Sequence, residues 1–206
     1  MTILLAHKPL CSARVALEPL TASALDALLA AAQRVGPEGD LTSVPKSLAA
    51  AQAYIQKALS EQAEGCSLPF VTRDLLSGQV VGSTRFMNIE YWENRRSLPD
   101  VVEIGATWLA REARRTHVNS EAKLLMLTHA FEVFGVERVS FKTDARNLRS
   151  RAAMERIGAK YEGTLRRHGP AYDGGVRDAA FFSIIRAEWP DVRAKLSSLA
   201  APRDRA

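Results

Sequence analysis

The sequence predicts a domain of the α/β or α+β class in which helices flank one mixed β-sheet. Runs of alternating apolar residues and stretches of helical spacing follow one another as strand, two helices, three strands, helix, strand, helix, two strands and helix. With 206 residues, of which 47% are hydrophobic and 25% charged, the chain is long enough for one well-packed core. We therefore expect residues 1–199 to form a single domain and residues 200–206 to form a frayed tail.

Alternation of apolar and polar residues, the period that is typical of half-buried strands, predicts the sheet. The predicted strands cover residues 14–20, 70–76, 79–89, 101–109, 138–143, 160–165 and 176–185. Ser77-Gly78 and Gly174-Gly175 separate neighbouring strands, and glycine accepts the positive φ angles of tight turns. Each of these two dipeptides therefore predicts a hairpin.

Apolar residues at helical spacing predict the layers that cover the sheet. The predicted helices follow Thr21, an expected N-cap, and cover 48–59, 120–134 and 148–157, with a last one starting at Trp189-Pro190. Gly158 is expected to end the helix before it as a C′ residue. The predicted loops are 36–44, 91–100 and 111–119, and the last of these is rich in arginine.

Composition excludes several classes of function. No apolar run approaches the roughly 20 residues of a membrane span, and the first ten residues lack a signal-peptide pattern, so we expect a cytoplasmic protein. The two cysteines lie far apart, and the histidines have no metal-ligand spacing, so no metal is expected. The net charge is +5, but the sequence has no block of basic residues, so we expect no direct nucleic-acid binding. Nucleotide-binding glycine motifs and the serine-hydrolase elbow are absent from the sequence.

The segment from residue 111 to residue 120 combines the features of an anion site. Arg111, Arg114 and Arg115 stand between a predicted strand and a predicted helix, and Thr116 and Ser120 add hydroxyl groups. The first N–H groups of a helix lack internal partners and lie at the positive end of its dipole. A pyrophosphate would fit there, although a solvated basic loop explains the same residues.

Several segments, taken in order, resemble the GNAT N-acetyltransferases, specifically the RimJ/RimL-like branch. They are Glu-Ile-Gly-Ala-Thr-Trp-Leu at 103–109, Arg-Arg-Thr-His-Val-Asn-Ser-Glu-Ala at 114–122, Lys-Thr-Asp-Ala-Arg-Asn-Leu-Arg-Ser at 142–150 and Glu-Arg-Ile-Gly-Ala at 155–159. The stretches 82–87 and 176–183 are also similar to that branch. The resemblance implies a mostly antiparallel seven-stranded sheet with a splay between two central parallel strands, 101–109 and 138–143. It also implies acetyl-CoA as the cosubstrate.

The resemblance implies a set of cofactor-binding residues. The pantetheine arm would pair with the backbone of Trp108, Leu109 and Ala110, and would receive a hydrogen bond from Asn147. The pyrophosphate would lie on the N–H groups of the loop and of the helix that follows it, which are those of Arg114, Arg115, Thr116, His117, Val118, Asn119 and Ser120.

This chain departs from the family's pyrophosphate loop at two positions. The family pattern reads Gln/Arg-x-x-Gly-x-Gly/Ala, which Arg114 matches, whereas His117 and Asn119 replace the two small residues. Histidine and asparagine tolerate the left-handed region better than most residues, and Asn119 is a good N-cap type. We therefore expect the loop to keep its shape, with His117 either contacting the phosphate or crowding it.

The resemblance also suggests catalytic residues for the attack of an amine on the thioester. Glu103 is the candidate base, and Ser150 is the candidate acid for the leaving thiolate. Met87, Glu90 and Trp92 would help to form the wall of the acceptor site. Each has an alternative role: Glu103 as half of an ion pair, Ser150 as a cap of backbone groups, and the other three as packing residues.

Three functions remain open at this point. The first is acetyl transfer to a primary amine, either a protein N-terminus such as that of a ribosomal protein or a small amine. The second is a non-catalytic module that binds acyl-CoA, and the third is transfer of another acyl group such as succinyl. Exposed strand edges would also allow a homodimer.

Overall fold

The computed structural model describes residues 5–36, 41–92 and 98–201. Its strands are β1 (Leu10–Cys11), β2 (Val15–Pro19), β3 (Ser67–Asp74), β4 (Gln79–Glu90), β5 (Val101–Leu109), β6 (Arg138–Asp144), β7 (Lys160–Pro170) and β8 (Val176–Ile185). Its helices are α1 (Leu25–Gln33), α2 (Leu48–Ala63), α3 (His117–Thr128), α4 (Leu148–Arg156) and α5 (Trp189–Ala200). Short 3₁₀ turns cover Ala22–Ala24, Arg111–Ala113 and Arg186–Glu188, and a π-helical turn, His129–Phe134, extends α3.

All described strands form one sheet in the order β1-β2-β3-β4-β5-β6-β8-β7. Neighbouring strands are antiparallel except for β5 and β6, which are parallel. The predicted mixed sheet is therefore confirmed, with the two-residue β1 as an eighth strand beyond the seven predicted. Both predicted hairpin turns are present, and Gly78, Gly174 and Gly175 all have positive φ.

Two hydrophobic clusters cover the two faces of the sheet. The larger cluster joins the sheet to α3 and α5, and includes Ile104, Met126 and Leu196. The smaller cluster joins the other face to α1 and α2, and includes Trp108 and Ile55. The central strands are thus buried from both sides, which fixes the backbone on which the site is built.

Three of the predicted helix ends need comment. Thr21 precedes the 3₁₀ turn rather than capping α1, and its hydroxyl bonds to Ser23 instead of a helix N–H. Gly158 follows α4 with a φ of +99°, which confirms it as the residue that ends the helix. Helix α5 extends to Ala200, one residue past the predicted domain end, because Ala200 packs at its last turn. Of the predicted frayed tail, residues 202–206 lie outside the described ranges. Residues 37–40 and 93–97, which belong to two predicted loops, also lie outside them.

Strand β5 contains a bulge opposite Thr84. Ser83 pairs with Trp108 and Arg85 with Gly105, so Ala106 and Thr107 together face one residue of β4. Ala106 has a φ of +48°, which is uncommon for a residue with a side chain. Below the bulge, the amine of Lys123 on α3 donates to the Thr107 hydroxyl at 2.8 Å.

Burial makes Lys123 sensitive to pH. It lowers the pKa of Lys123 from 10.5 to about 7, and the groups in contact with the amine are hydroxyls rather than charged side chains. Between these two values the unfolded chain binds more protons than the folded protein, so this residue makes stability rise with pH from about 7 to 10.5. Below pH 7 the folded protein bears the full cost of a buried ammonium group.

We predict that Lys123→Met raises the free energy of unfolding at pH 6, on the order of a few kcal/mol. The advantage over the wild type should shrink as the pH rises from about 7 towards 10.5, because the folded wild-type protein then holds a neutral amine in place of a buried ammonium group. Chemical denaturation at several pH values measures this difference. Lys8→Met, which changes an exposed lysine, is the control. A difference between Lys123→Met and wild type that does not vary with pH would contradict the prediction.

Candidate functional site

Strands β5 and β6 part soon after they begin. Their parallel pairing covers three residue pairs, Val101–Arg138, Val102–Val139 and Glu103–Ser140. Both strands then continue, β5 to Leu109 and β6 to Asp144, without pairing to each other. Past the last pair, a gap therefore separates β5 (104–109) from β6 (141–144). The strand edges that face this gap offer backbone N–H and C=O groups that no strand satisfies, which suits an extended polar ligand.

One residue at the end of β5 presents its backbone to this gap. The N–H of Ala110 donates to Val81 on β4 at 2.7 Å. Because the backbone direction alternates along a strand, Trp108 also faces β4 and Leu109 faces the gap. The Leu109 carbonyl accepts from Arg114 Nε at 2.9 Å, so its N–H is the group left for a ligand. Of the three predicted residues, Trp108 and Ala110 thus direct their backbone elsewhere, and the Trp108 side chain lies in the core.

Helix α3 begins three residues earlier than predicted, because Thr116 caps it. The Thr116 hydroxyl accepts from the N–H of Val118 at 3.3 Å and donates to the Ala113 carbonyl at 2.7 Å. The prediction of Asn119 as N-cap is therefore wrong, since it is the third residue of the helix. The N–H groups of His117 and Asn119 lie in the first turn and have no intrahelical partner.

The replaced loop residues are not strained. His117 and Asn119 have helical conformation, and the left-handed residue of the turn is Arg115, with a φ of +60°. Arg115 and Thr116 are exposed, whereas Val118 and Ser120 are each only 1% exposed. The Ser120 hydroxyl therefore lies on the buried side of α3 and not in the loop, contrary to its predicted role as a loop donor.

His117 has a partner at the end of β3. Its Nε2 lies 3.3 Å from Asp74 Oδ1, and both side chains are 17% exposed. Burial would raise the pKa of Asp74, but hydrogen bonds from Ser77 and Leu76 and the nearby His117 hold it below its ordinary value. The His117 ring thus lies beside Asp74 at the end of β3, whereas the sequence left open whether it contacts or crowds a phosphate.

Across the gap, β6 leads into α4 through a second capped turn. Asn147 is 5% exposed, and its Oδ1 accepts from the N–H of Ser150 at 3.0 Å. Arg146 bonds to both Asp144 and Asp173, which holds the turn against the β7–β8 hairpin. Ser150 lies half-buried in the first turn of α4. Because β5 and β6 are parallel, the N-termini of α3 and α4 lie at the same edge of the sheet.

Glu103 lies at the last residue pair before the gap. It is 7% exposed, and its Oε2 accepts from Asn88 Nδ2 at 2.7 Å and lies 3.6 Å from Lys142 Nζ. Glu103 therefore does form the ion pair that the sequence left as an alternative. A Cβ at Gly105 would lie 2.6 Å from Met87 Sδ and 3.1 Å from Glu103 Oε1. The glycine thus leaves room for both side chains above the strand.

The three predicted acceptor-site residues differ in position. Met87 pairs with Glu103 in the β4–β5 register and is half-buried. Glu90 pairs with Val101, further from the gap, and is exposed. Trp92 is 48% exposed, and its N–H donates to Asp100 Oδ2 at 2.8 Å. The structure thus brings Met87 to the candidate base and does not bring Trp92 into the core.

Comparison with known families decides the identity of the fold. A model of the GNAT acetyltransferase domain matches residues 14–160, which is more than half of the chain. This chain belongs to the GNAT acetyltransferase family.

Individual proteins that are similar to this chain point to the same family. The chain is 31% identical over 115 residues to YdaF of Bacillus subtilis (strain 168), which carries the provisional name of ribosomal N-acetyltransferase. That match covers 56% of this chain and 58% of YdaF, little more than half of either protein. A GCN5-related N-acetyltransferase from Brucella melitensis superposes with a TM-score of 0.83 at 28% identity, over 97% of this chain and 88% of that one. RimJ of Mycobacterium smegmatis, solved with CoA-disulfide, superposes with a TM-score of 0.72 at 22% identity, over 89% and 88% of the two chains, and shows the same fold.

These findings confirm the resemblance to the GNAT family and its RimJ/RimL-like members. GNAT acetyltransferases use acetyl-CoA, which has a pyrophosphate and an extended arm with two amides. The gap fits both parts, because it has an unpaired strand edge at Leu109 and capped helix N-termini on either side of its mouth. No three His, Cys, Asp or Glu side chains in residues 5–36, 41–92 and 98–201 are grouped to hold a metal ion. None of the helices in these ranges is long and apolar enough to span a membrane.

Sequence reasoning missed the side chains that support the GNAT site from a distance. Asn88 and Lys142 flank Glu103 from β4 and β6, and Lys123 lies under the β5 bulge. Of these three residues, only Asn88 has a residue type that hints at its conformation. Asparagine tolerates a positive φ, and Asn88 has a φ of +46°. Lys123 has no such signal, because it looks like any lysine on an amphipathic helix.

The capping role of Asn147 in the turn between β6 and α4 can be tested by mutation. Asn147→Ala should lower the free energy of unfolding by about 1 kcal/mol, because it leaves the Ser150 N–H at the start of α4 without its cap. Asn147→Asp keeps a side-chain oxygen in the same place and should retain most of the stability. Urea denaturation of the two variants measures the effect. Equal losses in both variants would contradict the capping role.

Proposed function

We propose that this GNAT protein is an acetyl-CoA-dependent N-acetyltransferase that transfers an acetyl group to a primary amine. The observation that carries the proposal is the parting of β5 and β6 after Glu103, with the N-termini of α3 and α4 at its open end. This arrangement supplies an unpaired strand edge for an extended arm and positive helix ends for phosphate.

Binding of the cosubstrate would use both sides of the gap. The N–H groups of His117 and Asn119 would bind the pyrophosphate, and the exposed guanidinium of Arg115 would add charge-assisted hydrogen bonds. The N–H of Leu109 would pair with the pantetheine arm like the edge of an added strand. Asn147 uses its Oδ1 to cap α4, which would leave its Nδ2 to donate to the same arm.

The proposed chemistry is direct attack of the amine nitrogen on the thioester carbonyl carbon. The amine first loses a proton, which Glu103 accepts directly or through water. Backbone N–H groups at the gap stabilise the oxygen of the tetrahedral intermediate. The C–S bond then breaks, the leaving thiolate takes the hydroxyl proton of Ser150, and Ser150 regains a proton from the nitrogen of the new amide, which becomes neutral. Asn88 and Lys142 would hold the Glu103 carboxylate in place for this step.

The acceptor is proposed to be a protein N-terminus, with a small amine as the alternative. The provisional name of YdaF and the structural similarity to RimJ support a ribosomal protein as the acceptor. Met87 lies beside Glu103 and would contact the acceptor, with Glu90 and Trp92 further out. The cytoplasmic location and the homodimer stay predictions.

The decisive experiment combines calorimetry with an acceptor screen. We expect acetyl-CoA to bind the intact protein and ATP not to bind, with succinyl-CoA as the test of acyl preference. Incubation with acetyl-CoA and a panel of ribosomal-protein N-terminal peptides and small amines should then yield acetylated products by mass spectrometry. Binding without transfer to any amine would indicate the non-catalytic module, and no binding of any coenzyme A ester would overturn the proposal.

Catalytic roles are tested by Ser150→Ala and Glu103→Gln. Each should lower kcat on the order of 10²-fold with little change in the Kd for acetyl-CoA, because both groups act on protons during transfer. Steady-state kinetics with the acceptor found above, measured across pH, gives these constants. Glu162→Gln is the matched control, since it removes another ion-paired glutamate, whose partner is Arg138. An unchanged kcat for Ser150→Ala, or an unaltered pH–rate profile for Glu103→Gln, would sink the corresponding assignment.

A further inference from the structure

A lysine is buried at the centre of the molecule, where helix α3 crosses the bulge of β5. Lys123 is 7% exposed as a residue, and its amine lies 2.8 Å from Thr107 Oγ1 and 3.4 Å from Thr84 Oγ1. The two threonine oxygens are themselves 2.8 Å apart. In the described part of the chain, Lys123 forms no ion pair with a carboxylate, and burial accounts for its lowered pKa.

These contacts join both strands at the bulge. Thr84 is the single residue of β4 that faces the bulge, and Thr107 is the second of the two bulged residues of β5. One amine thus binds the two hydroxyls that lie directly across the irregular pair. A bulge can shift along a strand by one residue unless side chains fix it, and here the described contacts of Lys123 fix it from below.

The bulge decides which backbone groups of β5 face the gap. In a regular strand, Ile104 and Trp108 would lie on the same face, because side chains alternate with a period of two. Here Ile104 packs against α3 and α5, whereas Trp108 packs against α1 and α2. The extra residue therefore reverses the alternation, and without it the Leu109 backbone would face β4 and the Trp108 backbone would face the gap.

A buried lysine without an anionic partner is costly for stability, and an apolar residue of similar volume would avoid that cost. The position therefore favours a role other than stability. Met126, which lies one turn further along α3 and contacts the same Thr84 oxygen through its Sδ at 3.5 Å, shows that a thioether side chain also fits against this part of β4.

We propose that Lys123 is a positioning residue that, through Thr107 and Thr84, fixes the β5 bulge and so directs the Leu109 N–H into the gap. Its consequence for catalysis rests on the proposed function. Its consequence for the backbone of β5 does not, and can be measured without any reaction. Lys123 would touch neither acetyl-CoA nor the amine.

The test compares Lys123→Met and Thr107→Val with the conservative Thr107→Ser and with the exposed-lysine control Lys8→Met. Hydrogen–deuterium exchange of the intact protein should show amides of residues 104–109 exchanging about tenfold faster in Lys123→Met and Thr107→Val, because the bulge is no longer fixed. Thr107→Ser keeps the hydroxyl and should behave as the wild type. Peptides from α5 should exchange at unchanged rates in every variant.

Kinetics supply the second readout. Lys123→Met and Thr107→Val should lose about tenfold in kcat, since small displacements of positioned groups are expensive in catalysis. The Kd for coenzyme A, measured by calorimetry, should rise about fivefold, because the Leu109 hydrogen bond to the pantetheine arm is weakened while the phosphate site is not altered. A merely structural lysine would instead leave both kcat and the Kd for coenzyme A unchanged.

The outcomes separate the two proposals. If exchange at 104–109 is unchanged in both variants, the positioning role of Lys123 is overturned whatever the kinetics show. If exchange accelerates but the wild type acetylates no amine, the positioning role holds and the proposed function fails. Should Lys123→Met not fold, the Thr107→Val and Thr107→Ser pair decides, because each changes a single side-chain group.

Discussion

The register of β5 is the constraint on which the rest of the site depends. One inserted residue at Ala106 turns Trp108 into the core beneath α1 and α2 while Ile104 stays against α3 and α5. The same shift exposes the Leu109 backbone to the gap. Core packing and ligand recognition are therefore set by one backbone irregularity, and a slip of one residue would damage both at once.

Electrostatics at the mouth of the gap follows from how the chain ends its two parallel strands. Each strand is followed by a turn and a capped helix, Thr116 before α3 and Asn147 before α4. The acidic groups nearby have partners: Asp74 lies beside His117, and Asp144 bonds to Arg146. Arg115 is exposed in the turn before α3. The exposed Arg115, the Asp144–Arg146 ion pair and the uncovered helix N-termini together favour an anionic ligand at this edge.

Periodicity alone predicted the central strands and the order of the elements, because β5 and its neighbours are long and half-buried. It could not predict β1, since two residues carry no period, or the start of α3, where the Thr116 cap competes with the equally good cap type at Asn119. The resemblance located the turn before α3 and the one after β6. The partners of Glu103 lay beyond it, because Asn88 and Lys142 reach it from other strands and no local pattern records such contacts.

The bulge also explains why a stable core and a working site make opposite demands on this fold. A residue with a side chain at positive φ and an amine buried among hydroxyls both cost stability, and neither serves the packing of α3. Ala106 nevertheless lies on the same strand as Glu103, just past the last β5–β6 pair, and Lys123 bonds to the next residue, Thr107. Sites of this kind keep strained or poorly solvated groups only where the surrounding structure over-determines them. Here Met126, which contacts Thr84 opposite the bulge, and Phe86, two residues further along β4, are fully buried. Close packing of the core thus keeps the bulge in place.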